Sequence, residues 1–474
     1  MPRPTKSWSV ERSPFFGVTT LRGDTTKDQR YVNMMIERLE NKDSGSARFF
    51  ATKRPGSILH STVSPTGAGR GMYSWKGNLY SCVGDKVYKN GVALAVTLTT
   101  TTGLLSWSET SGIAAVQRLS FNDGAFLYCI KTDDTVTKVT DGDYPLTDNV
   151  GMVEFFDGYT IVATTTGIIY NSDNEDPTSW SPTQTIQAQK YPDPLVGISR
   201  QNDVLLAFGQ WTTEQFYDAG TPAPSSFMAR LDQGTLQVGC ASKDSIVHQE
   251  SFIFWVGASK LGGYTVQKLD GISNLEKVSN DSIEKLLNLE GTNINNCYAY
   301  PIRLGGHFYY LLTLVGANRT FVYDIEEERW SEWQSGSSGK FDGIATEEHA
   351  NYALWQDATT GNIYRFDPNT YQDNGSTIYC ILQTHPIDRE TQHKKICKRF
   401  EVYGDWQTSS CPIDVQYSDD NYKTFSTARQ VDMSVRSWLT TLGNYIRRAW
   451  KLTHTANTPL RIEGFEEEFQ EGTF

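Results

Sequence analysis

Catalysis needs particular side chains at particular spacings, and in this 474-residue chain the reactive residues are scattered. The seven histidines (His60, His248, His307, His349, His385, His393 and His454) include no HExxH pattern and no close pair. A helical zinc-hydrolase centre is therefore not written here. No GxSxG elbow presents a serine nucleophile. Gly67-Ala-Gly-Arg-Gly71 is glycine-rich, but it lacks the Lys-Ser/Thr pair and following helix that let a phosphate loop grip nucleotide, so it reads as a turn. The acidic clusters Asp141-Gly-Asp143 and Asp173-Asn-Glu-Asp176 do not match EF-hand spacing and read as solvated turns. The seven cysteines are an odd number with no CxxC pair, which points to buried, reduced thiols and a reducing cytoplasm. The residues thus predict no catalytic, cofactor or metal site.

One further motif bears on enzyme chemistry. Ser418-Asp-Asp420-Asn-Tyr-Lys-Thr424-Phe425 resembles the Asp-box of sialidase propellers, where the aspartate stabilises a turn outside the catalytic centre. Tyr422 stands where that box has glycine, and only one copy is present, so the segment reads as a hairpin turn. A glycosidase would also need paired carboxylates about 5–10 Å apart, or a tyrosine nucleophile ringed by arginines. No spacing argues for either.

Composition narrows the class. The chain carries a net charge of −12, with 12% aromatic residues, which suit half-buried pleated surfaces. A net-acidic chain is a poor default binder of nucleic acid. No apolar run approaches the roughly 20 residues of a membrane-spanning helix, and the start of the chain has no apolar signal-peptide core. Residues 1–60 hold eleven Lys/Arg against six acids, whereas Glu463, Glu466, Glu467, Glu468 and Glu471 crowd the other end.

The elements that would position these residues repeat. A turn, a β-rich run, a second turn and another β-rich run begin near Gly77, Asp123, Asp157, Asn202, Glu250, Gly306 and Ala350. The mean interval is about 45 residues, the length of a four-stranded propeller blade. Intervals of 34 and 56 break the regularity, leaving six or seven blades open and a tandem of β-sandwiches as an alternative. The expected fold is all-β: an N-terminal arm (1–65), a six- or seven-bladed β-propeller (66–372) and a C-terminal β-sandwich-like module (373–474). Asp281–Gly291 predicts a short helix capped by Asp281, and 31–39 is ambiguous between helix and strand.

Several segments together resemble one family. They are Tyr31-Val-Asn-Met34, Phe49-Phe-Ala-Thr-Lys-Arg-Pro-Gly56, Val278-Ser-Asn-Asp-Ser-Ile-Glu-Lys-Leu-Leu287, Arg447-Arg-Ala-Trp450 and Thr458-Pro-Leu-Arg-Ile-Glu463. Their order and spacing are similar to the tail nozzle or hub proteins of short-tailed bacteriophages, also called packaged-DNA stabilisation proteins. The resemblance implies a non-enzymatic virion protein, assembled in the host cytoplasm into a ring of six copies below the portal and its adaptor. Such a ring extends the DNA channel, retains packaged double-stranded DNA without reading its sequence, and anchors fibres, spikes or a needle. Six copies at −12 would carry about −72, a lining that repels sliding phosphates. Basic residues Arg3, Lys6, Arg12, Lys53, Arg54, Arg447 and Arg448 are the expected partner interface. The Ala219–Ser226 loop, with Thr221, Pro222 and Pro224, is the expected gate or contact loop. A glycan-binding or glycan-cleaving propeller of the tail is the alternative.

Overall fold

A computed structural model describes residues 9–13, 29–40, 47–113 and 115–472. Among the described residues seven blades of four or five meandering antiparallel strands form a ring; five are separate sheets, and the sixth and seventh are parts of a nine-stranded and a six-stranded sheet. Blade 1 runs from Gly69–Trp75 to Val92–Ala93, blade 2 from Ser106–Glu109 to Val136–Lys138, and blade 3 from Glu154–Phe156 to Asp176–Gln187. Blade 4 spans Leu195–Gln201 to Met228–Arg230, and blade 5 Gly239–Cys240 to Asn274–Lys277. Blade 6 spans Tyr298–Leu304 to Arg329–Trp333. Blade 7 holds Gly343–His349, Tyr352–Asp357 and Ile363–Asp367, and its outer strand is Gly56–Ser61 from the other end of the chain. The first strands of successive blades touch in order, with Val247–Gln249 taking that place in blade 5, and that of blade 7 touches that of blade 1. The ring is closed, so the blades leave few free edges.

The strands follow from local sequence. Second strands such as Val204–Gly209 are continuous apolar runs buried along their whole length, as expected for a strand covered on both faces by neighbouring blades. Several first-to-second turns need positive φ at both central residues, and the chain supplies Asp157-Gly158 and Gly305-Gly306 there. The irregular spacing also has a cause. Asp123-Gly124 joins the second and third strands of blade 2, whereas the other repeated turns join first and second strands. The 56-residue interval contains the helix Asp281–Leu289 and the 3-10 turn Gly291–Asn296. The helix is capped by Asn280, whose side chain accepts from Ser282 and Ile283 N–H, one residue earlier than the sequence suggested.

The sandwich draws on both ends of the chain. One sheet pairs Ser9–Ser13, Met34–Glu40, Ala47–Lys53, Arg461–Glu471 and Lys395–Gly404. The other pairs Arg30–Val32, Cys380–Gln383, Ala449–His454 and Pro412–Ser418. Between them Trp450 stacks on Phe400 at 3.9 Å, within a buried cluster that includes Phe465 and Ile413. Burying one such side chain stabilises by about 1.5–3 kcal/mol. Residues 30–61, placed by the sequence in an arm, thus contribute strands to the sandwich and to blade 7, and the ambiguous 31–39 stretch is extended. Val32 pairs in parallel with Glu332, joining the sandwich sheet to the outer strand of blade 6.

Candidate functional site

Two of the segments that carried the resemblance, residues 31–34 and 49–56, meet at this junction, whereas residues 278–287 pack on blades 5 and 6 and Trp450 lies in the sandwich core. Asn33 adopts φ 55°, turning the chain from one sandwich sheet into the other. Asparagine tolerates that left-handed conformation. Its amide donates to Gln334 O (3.1 Å) and Tyr379 O (2.9 Å), and its oxygen accepts from Gln334 N and Arg54 Nε, each at 3.0 Å. Arg54, fully buried, donates to both oxygens of Asp373 and lies over the rings of Trp333 and Phe341. At Gly56 a Cβ would sit 2.3 Å from Gln372 O, so only glycine lets the closing strand pass. Nearby, Glu332 receives paired hydrogen bonds from Arg30 and from Arg319. Burial pushes its carboxyl up, but the two guanidinium groups outweigh that and hold it below the usual range.

The other basic candidates are placed as follows. Lys53 is 3% exposed and donates to Ala456 O at 2.8 Å; burial lowers its ammonium pKa. Arg448 is 1% exposed, donates to both Asp419 oxygens at 2.7 Å and lies 3.8 Å over Tyr417. Among the candidates whose side chains are described, Arg447 alone is exposed. Arg12 lies on the strand Ser9–Ser13, while Arg3 and Lys6 lie outside the described residues. Thr221, Pro222 and Pro224 are exposed at the tip joining the third and outer strands of blade 4, away from the axial first strands. The acidic C-terminal strand is matched by cations: Arg399 reaches Glu466 (2.8 Å), Arg389 Glu467 (2.9 Å) and Lys398 Glu468 (2.8 Å).

The motifs weighed for chemistry serve structure. Gly69 sits where a Cβ would be 2.5 Å from Asp357 O, at the contact between blades 7 and 1, and Arg70 beside it donates to the carbonyls of Gly84, Thr100 and Gly103. Asp173 accepts from Ser179 and Gln184, and Asp141 from the Asp143 and Trp180 N–H groups. Asp420 accepts from Ser418 and Thr424 in a turn, which lowers its carboxyl to about 2. Tyr422 takes φ 66° in place of glycine, and its buried hydroxyl donates to Thr384 O at 2.7 Å. His307, Asp324 and Glu326 have the makings of ligands, with their nearest atoms within 4.8 Å. Yet His307 Nδ1 is 2.9 Å from one Asp324 oxygen, and the other oxygen caps the following turn.

No local motif marks the axial cavity, because its walls come from first strands far apart in the chain. It encloses about 1170 Å³ and is lined by Tyr73, Trp107, Glu109, Glu154, Arg200 and His248 among others. Burial pushes the Glu154 carboxyl up to about 7, opposed by hydrogen bonds from the Arg200 backbone and the Ser199 hydroxyl. Glu347, on the first strand of blade 7, is also pushed up to about 7, by burial and then by Glu348 and Glu109. Burial raises the Tyr73 phenol, and Glu109, Glu347 and Glu154 raise it further. Burial and Arg200 lower His248, which is therefore neutral at pH 7.

A closed propeller fused to a sandwich, with buried charges such as Arg54, Glu332 and Arg448 tied in structural pairs, is an all-β scaffold. The chain belongs to the phage stabilisation family described as bacteriophage P22 Gp10, beta-propeller, which it matches over residues 16–371. It is a structural protein of a phage tail, as the resemblance implied. No curated protein matches the sequence. Among solved structures, a streptogramin B lyase is similar at 10% identity and TM-score 0.43, covering 67% of this chain and 97% of that one. BBS1N in complex with ARL6DN is similar at 10% identity and TM-score 0.41, covering 66% and 98%. The WD40 beta propeller domain of Doa1 is similar at 12% identity and TM-score 0.34, covering 66% and 96%.

Proposed function

We propose that copies of this chain, six in number, form a ring below the portal and its adaptor. The ring extends the DNA channel, helps retain the packaged genome and anchors fibres, spikes or a needle. The family match over residues 16–371 carries this reading. The physics agrees with it. The strand pairing of Val32 with Glu332 and the closure of blade 7 by Gly56–Ser61 join propeller and sandwich through backbone hydrogen bonds, which suits a subunit of a rigid ring. In this reading the DNA channel lies between copies, because the axial cavity of each propeller, about 1170 Å³ and walled by side chains such as Tyr73 and Trp107, is too small to pass a duplex. The net charge of −12 lets DNA slide past without being gripped. The exposed Arg447 and the Thr221–Pro224 loop are the contact candidates that remain at the surface. Electron microscopy of the full chain mixed with its portal and adaptor tests the proposal: a coaxial ring supports it, and no association counts against it.

A second reading, a glycan-binding or glycan-cleaving tail protein, has the axial cavity in its favour. Aromatic rings beside carboxylates suit sugars. Release of saccharide from host surface glycan, or binding without release, would favour that reading.

A further inference from the structure

A second cavity, of about 850 Å³, lies where blades 6 and 7 face the sandwich. One wall is propeller, from the end of Tyr298–Leu304 and from Tyr352–Asp357 and Ile363–Asp367. The other is sandwich, from Met35, Leu460 and Arg461. Its surface is largely apolar, through Met35, Leu304, Phe366 and Leu460. Four cations (Lys53, Arg303, Arg365 and Arg461) and three acids (Glu37, Asp367 and Asp405) line it, and they are unequal in kind. Arg461 is paired with Asp405 at 3.3 Å, and Asp367 caps its own turn through the Asn369 N–H. Among the described residues Arg303 and Arg365 meet no carboxylate. Each guanidinium instead rests on a ring, Arg303 4.8 Å from the centre of Phe308 and Arg365 4.6 Å from that of Tyr352. Thr52 also lines the cleft, and its buried hydroxyl oxygen has no hydrogen-bond partner.

Two arginines held by stacking keep their planar forks free for bidentate bonding to carboxylate. Apolar walls between them reward hydrophobic side chains, and the volume falls in the range of ligand pockets. We propose that this cleft binds an extended peptide segment of another virion protein, carrying carboxylates for Arg303 and Arg365 and apolar or aromatic side chains for the walls between. Nucleic acid fits less well, because a phosphate backbone has no use for the apolar surface and seeks many clustered cations. The proposal rests on the reading that the chain assembles with other virion proteins. It adds where one of them docks and by what chemistry.

A displayed library of short random peptides, panned on the full chain, tests it. Enriched peptides are expected to combine at least two acidic residues with apolar or aromatic ones. Synthetic copies should bind about tenfold more weakly to the Arg303→Gln/Arg365→Gln variant, a loss of one good charge pair or more. Thermal unfolding of that variant checks that it is folded, and the single variants serve if the double one is not. Absence of enrichment, enrichment of peptides without acids, unchanged binding to the variants, or displacement of the peptides by a short DNA duplex would each overturn the proposal. Ring formation is scored separately by native mass spectrometry. A ring without peptide binding removes only the docking site, and peptide binding without a ring removes only the proposed ring.

Discussion

Arg54 and Asp373 meet in a two-pronged ion pair, Nη1 to Oδ1 at 3.0 Å and Nη2 to Oδ2 at 2.5 Å, although 319 residues separate them. Arg54 lies between the sandwich strand Ala47–Lys53 and the ring-closing strand Gly56–Ser61, and Asp373 also accepts from the Ser57 hydroxyl at 3.0 Å. One pair therefore ties ring closure to the fusion of propeller and sandwich. Replacing Arg54 with Met should cost about 3–5 kcal/mol, because the partner charge is left uncompensated in a largely buried place. Urea unfolding measures this. A loss below about 1 kcal/mol would show that the pair does not hold the junction.

Glu332 gives a pH signature of opposite origin. Its carboxyl lies below the usual value because Arg30 and Arg319 flank it. A depressed acid stabilises the fold above its unfolded value near 4.5 and loses that contribution as pH falls through the lower folded value. Glu332→Gln should therefore destabilise the protein at pH 7 and differ progressively less from the wild type on acidification below about 4.5. Parallel melting curves across pH check the convergence.

In the axial cavity the sign reverses. Glu154 is raised to about 7, so its favourable contribution is complete below its unfolded value and fades as pH rises through 7. Glu154→Gln should match the wild type near pH 5 and be more stable at pH 8, by about 1–2 kcal/mol after allowing for solvent in the cavity. Equal melting shifts at both pH values would contradict the placement of this carboxylate.

All seven cysteines are free and buried. Burial pushes the thiols of Cys82, Cys129, Cys240 and Cys380 up to about 12. The folded protein should leave them unreactive towards a disulfide reagent at pH 8, and all seven should react after unfolding in denaturant. Rapid labelling of any one in the native chain would place it at the surface.

How much of this was legible in the sequence depended on range. Hairpins such as that at Asp157-Gly158 announce themselves locally, through a turn that needs positive φ and apolar runs beside it. The blade count did not, since it depends on Gly56–Ser61 pairing with Ile363–Asp367 some 300 residues away. The sandwich hid its N-terminal strands for the same reason: nothing near Met34–Glu40 says that it pairs beside Ala47–Lys53 and, through it, Arg461–Glu471. The basic candidates show the limit for sites. Lys53, Arg54 and Arg448 read as free surface charge, but burial is decided by distant partners such as Ala456 and Asp373, or by rings such as Tyr417. The axial carboxylates Glu154 and Glu347 were invisible because the ring alone brings them together.

The propeller and sandwich are proposed to build part of a phage's genome conduit. Cryo-electron microscopy of the intact virion tail tests it most directly. Density for six copies, arranged coaxially beneath the portal and adaptor with DNA passing between them, is the predicted result. Finding the chain at the tip of a peripheral fibre, or in a single off-axis copy, would contradict it.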